Sequence, residues 1–264
     1  MRISIIKFFT IICITLCAVT VQAQSYFCIF DNPKATTTAT VTIVSDDIVN
    51  EYGDLVNDTY RVENEVNAEA ELIKRFYYKD NQLFAQRNYT LEGELIGDEA
   101  GISIYQYEYN SKGDFTKIEY FDEDKLAVQA AYVGPAMIQY EYDSKGNRTK
   151  ASYFDKYHNL LDLGVSVIEY TYDNQNRLTL EKHYNAKEEL VKETAPIIKY
   201  SYDDTGKMVQ QSFLNSNNES VTRLMDDDDY DIARISYEYD GEEISMLYYY
   251  NSKGELLGSE KGKN

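Results

Sequence analysis

YTYDNQNRLTLEKHYN, Tyr170 to Asn185, decides the reading of this chain, because the phrase returns as YEYNSKGDFTKIEYFD from Tyr107 and YEYDSKGNRTKASYFD from Tyr140. Its opening alternates. An aliphatic residue precedes the first tyrosine by two and another tyrosine follows by two: Ile138, Tyr140, Tyr142; Ile168, Tyr170, Tyr172; Ile198, Tyr200, Tyr202; Ile235, Tyr237, Tyr239. Polar residues stand between them, as Gln139 and Glu141 or Glu169 and Thr171 do. Strict period two predicts a strand with one buried and one wet face, the tyrosines inside. Each strand ends in Asp or Asn followed by Gly or Asn, as in Asp143-Ser144-Lys145-Gly146 and Asp173-Asn174-Gln175-Asn176. The Asp carboxylate can accept from backbone two residues on, and Gly or Asn tolerates the positive φ that closes a hairpin.

An antiparallel partner must follow, and each phrase supplies one. It ends in Tyr120-Phe121-Asp122, Tyr153-Phe154-Asp155, His183-Tyr184-Asn185, Phe213-Leu214-Asn215 or Tyr249-Tyr250-Asn251. A second polar turn closes on Leu126, Leu160, Leu190 or Leu256, and a link marked by Gly or Pro leads into the next tyrosine strand. The first aromatics fall at Phe76, Tyr107, Tyr140, Tyr170, Tyr200 and Tyr237, spaced 31, 33, 30, 30 and 37 residues. That makes six units. One hairpin cannot bury its tyrosine face alone, so stacked neighbours must do it.

The residues before the array carry other information. Arg2 and Lys7, an uncharged apolar run from Phe8 to Val21, and Val21-Gln22-Ala23 have the form of a secretory signal peptide. Residues 1–23 are therefore expected to be cleaved, leaving a soluble product in the periplasm or outside the cell. Residues 24–75 fit the repeat least well and read as an N-terminal strand and capping segment, with a strand in Ala35 to Ser45. The turn at Glu51-Tyr52-Gly53-Asp54-Leu55 resembles the later ones, so this segment reads alternatively as a degenerate extra repeat. Residues 76–264 form the six-unit array.

Without the signal, 24 basic residues face 45 acidic ones, a net charge of about −21. A surface of that sign repels phosphate backbones and anionic headgroups, so neither nucleic acid nor membrane is expected as a partner. Cys28 is the one thiol after residue 23 and reads as a small buried apolar residue rather than half of a disulfide.

Tyr-x-Tyr-Asp-x-x-Gly/Asn-Arg-Leu, best kept as YTYDNQNRL and YEYDSKGNR, resembles the YD repeat of Rhs-type proteins over roughly Phe76 to Gly258. The arginine after the turn is kept at Arg148 and Arg177. The resemblance implies a spiral of β-hairpins and, in secreted members, carbohydrate binding or the packaging of a toxin. No toxin domain is expected within these residues.

Candidate chemistry is sparse. His183 occupies the aromatic place held by Tyr89, Tyr120, Tyr153 and Phe213, which makes it a structural substitution, and His158 lies in a turn. The sequence carries no metal-binding Cys/His spacing, Gly-rich phosphate loop or nucleophile elbow. The 37-residue spacing comes from an acidic insertion, Arg223 to Asp231, in which Asp227, Asp229 and Asp231 could offer alternating oxygen ligands to calcium, a candidate metal site. The Gly and terminal Glu of an EF-hand loop are missing there, and a solvated acidic loop is the plainer reading. No other cofactor is expected.

The fold expected is all-β: tandem antiparallel β-hairpin repeats forming a twisted or spiralling sheet. The function expected is non-enzymatic, an exported β surface that binds a glycan or an envelope or extracellular protein. The alternatives are a structural or self-assembling module and, third, a polysaccharide-active enzyme using a carboxylate pair.

Overall fold

A computed structural model describes residues 36–41, 61–67, 71–132, 134–162, 164–192, 195–224 and 231–262. The expected signal peptide, Cys28, the turn at Glu51-Tyr52-Gly53-Asp54-Leu55, Asp227 and Asp229 lie outside the described residues. The described chain is all-β apart from one 3-10 turn, Ala130–Tyr132. Its contacts divide it into two compact units, within Phe30–Val167 and within Ile168–Asn264.

The first unit contains β1 (Thr36–Val41), β2 (Arg61–Asn67), β3 (Leu72–Lys79), β4 (Gln82–Thr90), β5 (Ile104–Tyr109), β6 (Phe115–Phe121), β7 (Met137–Tyr142) and β8 (Arg148–Phe154). Each pairs antiparallel with its neighbour in sequence. The second contains β9 (Val167–Tyr172, from its second residue), β10 (Leu178–Tyr184), β11 (Ile197–Tyr202) and β12 (Met208–Leu214). It continues through β13 (Arg223–Leu224), β14 (Asp231–Ile232), β15 (Arg234–Asp240), β16 (Glu243–Tyr250) and β17 (Leu256–Lys261). Here β12 pairs with β15, while β13 and β14 form a separate two-stranded ribbon. Tandem antiparallel hairpins are thus the observed fold, and β1 falls inside the strand expected in Ala35 to Ser45.

Both turns of a hairpin unit follow one physical plan. In the first, Asp143 Oδ1 accepts from the backbone N–H of Lys145 at 2.8 Å and of Asn147 at 2.9 Å, while Gly146 takes φ 91°. Asn110, Asp173 and Asp203 do the same. In the second turn, Asp122, Asp155, Asn185, Asn215 and Asn251 repeat the arrangement. A carboxylate that accepts several N–H groups is stabilised in its charged form. At Asp143 the Asn147 amide comes first among the causes, and the carboxyl is held below its ordinary range.

Five hairpin ladders also slip by one residue at a matching place: Tyr77/Tyr78, Glu108/Tyr109, Glu141/Tyr142, Ser201/Tyr202 and Glu238/Tyr239. A bulge interrupts regular pairing and leaves backbone groups there to find other partners. The next hairpin provides them. The hydroxyl of the second tyrosine donates back to a carbonyl at the start of the preceding hairpin's second strand: Tyr109 to Leu83 at 2.5 Å, Tyr142 to Phe115 at 2.7 Å, Tyr202 to Leu178 at 2.7 Å and Tyr239 to Met208 at 2.9 Å.

The core follows the tyrosine face, with Ile138, Tyr140, Ile235 and Tyr237 buried. One expectation needs correction. At the start of β7, β9 and β11 both faces are covered, since Met137 is buried beside Ile138, Val167 beside Ile168 and Ile197 beside Ile198. The alternation of wet and dry holds only toward the turn, where Gln139 and Glu141 are exposed. A second correction concerns the closing residue of the return. Leu126 is exposed, and Ala127 makes the bridge to Phe121 that Leu160 makes to Phe154 and Leu190 to Tyr184.

Candidate functional site

Several buried polar residues stand at the joint between hairpins. Asn88, Tyr120, Tyr153, His183 and Phe213 each donate their N–H to the link, to Ser103, Ala136, Ser166, Pro196 and Ala233. Their carbonyls accept from Ile96, Val128, Leu161, Val191 and Val221, eight residues on. His183 therefore does hold a repeated structural place, as its position in the phrase implies. Its equivalent in the first hairpin is Asn88 and not Tyr89, which instead bridges to Leu95. Sequence reasoning preferred Tyr89 because it is aromatic; the backbone bonds fix the register one residue earlier.

Two of these places carry polar networks. Asn88 is fully buried, and its amide donates to Ile102 O at 2.8 Å and Asp98 Oδ2 at 3.4 Å. Gln86 Nε2 donates to Asn88 Oδ1 at 3.2 Å, and the Tyr105 hydroxyl donates to the same Asp98 oxygen. Asp98 Oδ1 meanwhile accepts from Ala100 N and Ile102 N. Burial, and then the hydrogen bond to Asp98, raise the Tyr105 pKa. In the other network, buried Glu181 accepts from Tyr200 Oη at 2.9 Å and lies 3.3 Å from His183 Nε2. Each network satisfies its own members within the core, which is what a scaffold requires of buried polar groups.

The opposite face of the hairpins is where side chains meet solvent. Glu108, Gln139, Glu141, Glu169, Thr171, Lys199 and Glu238 are exposed there, on β5, β7, β9, β11 and β15. Lys117 joins Glu108 at 2.5 Å and Glu119 at 2.8 Å. Burial works against its charge, yet the hydrogen bonds to Glu108 and Glu119 prevail and its pKa is raised. Glu119 also comes within 3.7 Å of His158 Nε2, a neighbour that sequence proximity did not reveal. Two tyrosines belong to this face. Tyr184 Oη donates to Glu169 at 2.7 Å and Tyr248 Oη to Glu238 at 2.9 Å. Burial, and then the bond to Glu169, push the Tyr184 phenol up to about 12. These two were missed because the repeat draws attention to the inward Tyr-x-Tyr pair. The signal lay in parity, since Tyr184 is an odd number of residues from His183.

Of the acidic insertion, β13 and β14 are described, with Leu224 opposite Asp231. Asp231 thus sits on a paired strand, whereas Asp227 and Asp229 lie outside the described residues. Among the described residues no group of three or more His, Cys, Asp or Glu could hold a metal ion. No described helix is long and apolar enough to cross a membrane.

No family model matches the chain, and no curated protein matches it. Among solved structures it is similar to the crystal structure of TcdB2-TccC3-TEV, at 14% identity and a TM-score of 0.21. That match covers 82% of this chain and 15% of the other.

Proposed function

We propose that this protein is an exported, non-enzymatic repeat scaffold that binds a glycan or protein partner at the cell envelope or outside the cell. The observation that carries the reading is an exposed polar face that recurs within each compact unit: β5 and β7 in one, and β9, β11 and β15 in the other, present polar side chains at matching positions. The inward tyrosines are committed to packing and to bonds between hairpins, so sugar stacking falls to outward rings such as Tyr184 and Tyr248. The excess of exposed carboxylates favours neutral sugars or a basic protein surface over anionic ligands.

The reading is tested with the folded chain on a panel of envelope glycans and surface proteins. Binding that falls at least tenfold in the double variant Glu169→Lys, Glu238→Lys supports it. No binding above background by the folded protein counts against it. Turnover of a polysaccharide, abolished by one carboxylate-to-amide change, overturns the non-enzymatic assignment.

A second reading, a structural or self-assembling module, is favoured by the tyrosine bonds that already fasten one hairpin to the next. Sedimentation over a wide concentration range separates the two. A strict monomer at high concentration removes self-assembly.

A further inference from the structure

The joint between hairpins has a fixed register. On the inward face, Gln86 of β4 lies opposite Tyr105, Ile118 of β6 opposite Ile138, Glu181 of β10 opposite Ile198, and Gln211 of β12 opposite Ile235. In each case the incoming strand brings a tyrosine two residues later: Tyr107, Tyr140, Tyr200 or Tyr237. The equivalent residue of β16 is Leu247, and Glu260 of β17 lies opposite it. So β17 occupies the edge on which β4, β6, β10 and β12 receive the next hairpin.

Its residues match the backbone of an incoming strand but not its side chains. Gly258 stands where Ser103, Ala136, Pro196 and Ala233 stand at the other joints, a place for small or compact residues. The inward Ile-x-Tyr is replaced by Glu260-Lys261-Gly262. A Cβ on Gly262 would lie 1.7 Å from the carbonyl oxygen of Ile244, so no side chain can stand in the tyrosine's place. Glu260 is held by the Tyr249 hydroxyl at 2.5 Å, and β17 adds only half-buried Leu257 to the neighbouring core. An inward carboxylate on an outer strand opposes further strand pairing, because a second sheet edge could dock there only by burying the charge.

We propose that β17 is a displaceable plug, a strand that takes the docking place of a hairpin and keeps the β16 edge from pairing with the β16 edge of a second copy. With β17 displaced, two β16 edges can meet antiparallel about a two-fold axis that keeps the tyrosine faces on the same side. The proposal stands apart from the glycan or protein ligand proposed above.

Proline substitution in the full chain tests it. Gly262 N donates to Ser245 O at 3.1 Å, so by antiparallel alternation the Glu260 N–H faces β16 and the Ser259 N–H faces away. Glu260→Pro is expected to release β17 and give a species of twice the wild-type mass in sedimentation. Ser259→Pro is expected to keep the wild-type mass. Hydrogen exchange on the same samples should show β17 amides losing protection in Glu260→Pro while β9 to β12 keep theirs. Three results overturn the proposal: release of β17 with unchanged mass, β17 protection that survives even Gly258→Pro combined with Glu260→Pro, or loss of protection throughout β9 to β16. The last would make β17 part of the core and not a plug.

Discussion

The joint at Asn88 and the joint at Phe213 solve one problem with opposite chemistry. Both residues are fully buried, and both make the same two backbone bonds, to the link before the next first strand and to the residue eight positions on. Phe213 completes the joint by packing into the buried apolar cluster that also holds Ile198, Ile232, Ile235 and Leu247. Asn88 completes it by bonding, and so it needs Gln86, Asp98, Ile102 and Tyr105 around it. The backbone plan thus defines the repeat, while the side chain in the slot is free to change if its partners change with it.

The largest break is expected on the apolar side. Phe213→Ala should cost about 3–5 kcal/mol, the usual effect of emptying a well-packed aromatic site. Denaturant unfolding measures it, and a loss below about 1 kcal/mol would mean that the joint is held by backbone bonds alone.

At the polar joint, Asn88→Leu keeps the branched shape and removes the amide. It leaves Asp98 without one donor and the Ile102 carbonyl without another, which should cost about 1–3 kcal/mol. Double replacement of Asn88 and Asp98 by apolar residues should recover part of that loss, since both ends of the network are then gone. The same joint is sensitive to alkali. Tyr105 is raised above its ordinary phenol value by burial and by Asp98, and burial with Tyr89 beside it pushes Tyr77 up to about 12. A raised phenol pKa contributes stability that is present below about pH 10 and is lost as pH rises through the folded value. Exchange protection at Asn88 and Ile104 should therefore fall between pH 10 and 12 at constant temperature, and should fall less in Tyr105→Phe. Unchanged protection across that range would remove the network from the joint's stability.

The sequence made the hairpins legible because turn chemistry and period two are local. Asp143, Asp173 and Asp203 announce their own turns, and Ile138, Tyr140 and Tyr142 announce their face. What depends on register was hidden. The bulge beside Tyr142 leaves no mark in an alternating pattern, so neither the tyrosine's backbone acceptor nor the return bridge at Ala127 could be placed. Asn88 was passed over for Tyr89 because residue type was used where only backbone bonding decides. The outward face was legible as polar, but the pairing of Tyr184 with Glu169, and the approach of His158 to Glu119, depend on strands brought side by side.

One bond is common to the polar and apolar joints, and its loss should cost least. Tyr142→Phe removes only the hydroxyl that reaches Phe115 O across hairpins, at a cost of about 1 kcal/mol. Tyr239→Phe, whose hydroxyl reaches Met208 O, should cost a similar amount in the second compact unit. Equal losses in chemical denaturation would show that the bulge carbonyl and its tyrosine act as one device, repeated without regard to how the adjoining slot is filled. If the loss appears at Tyr142 and not at Tyr239, the apolar packing around Phe213 already carries the second unit, and the hydroxyl matters only where side-chain packing is thinner.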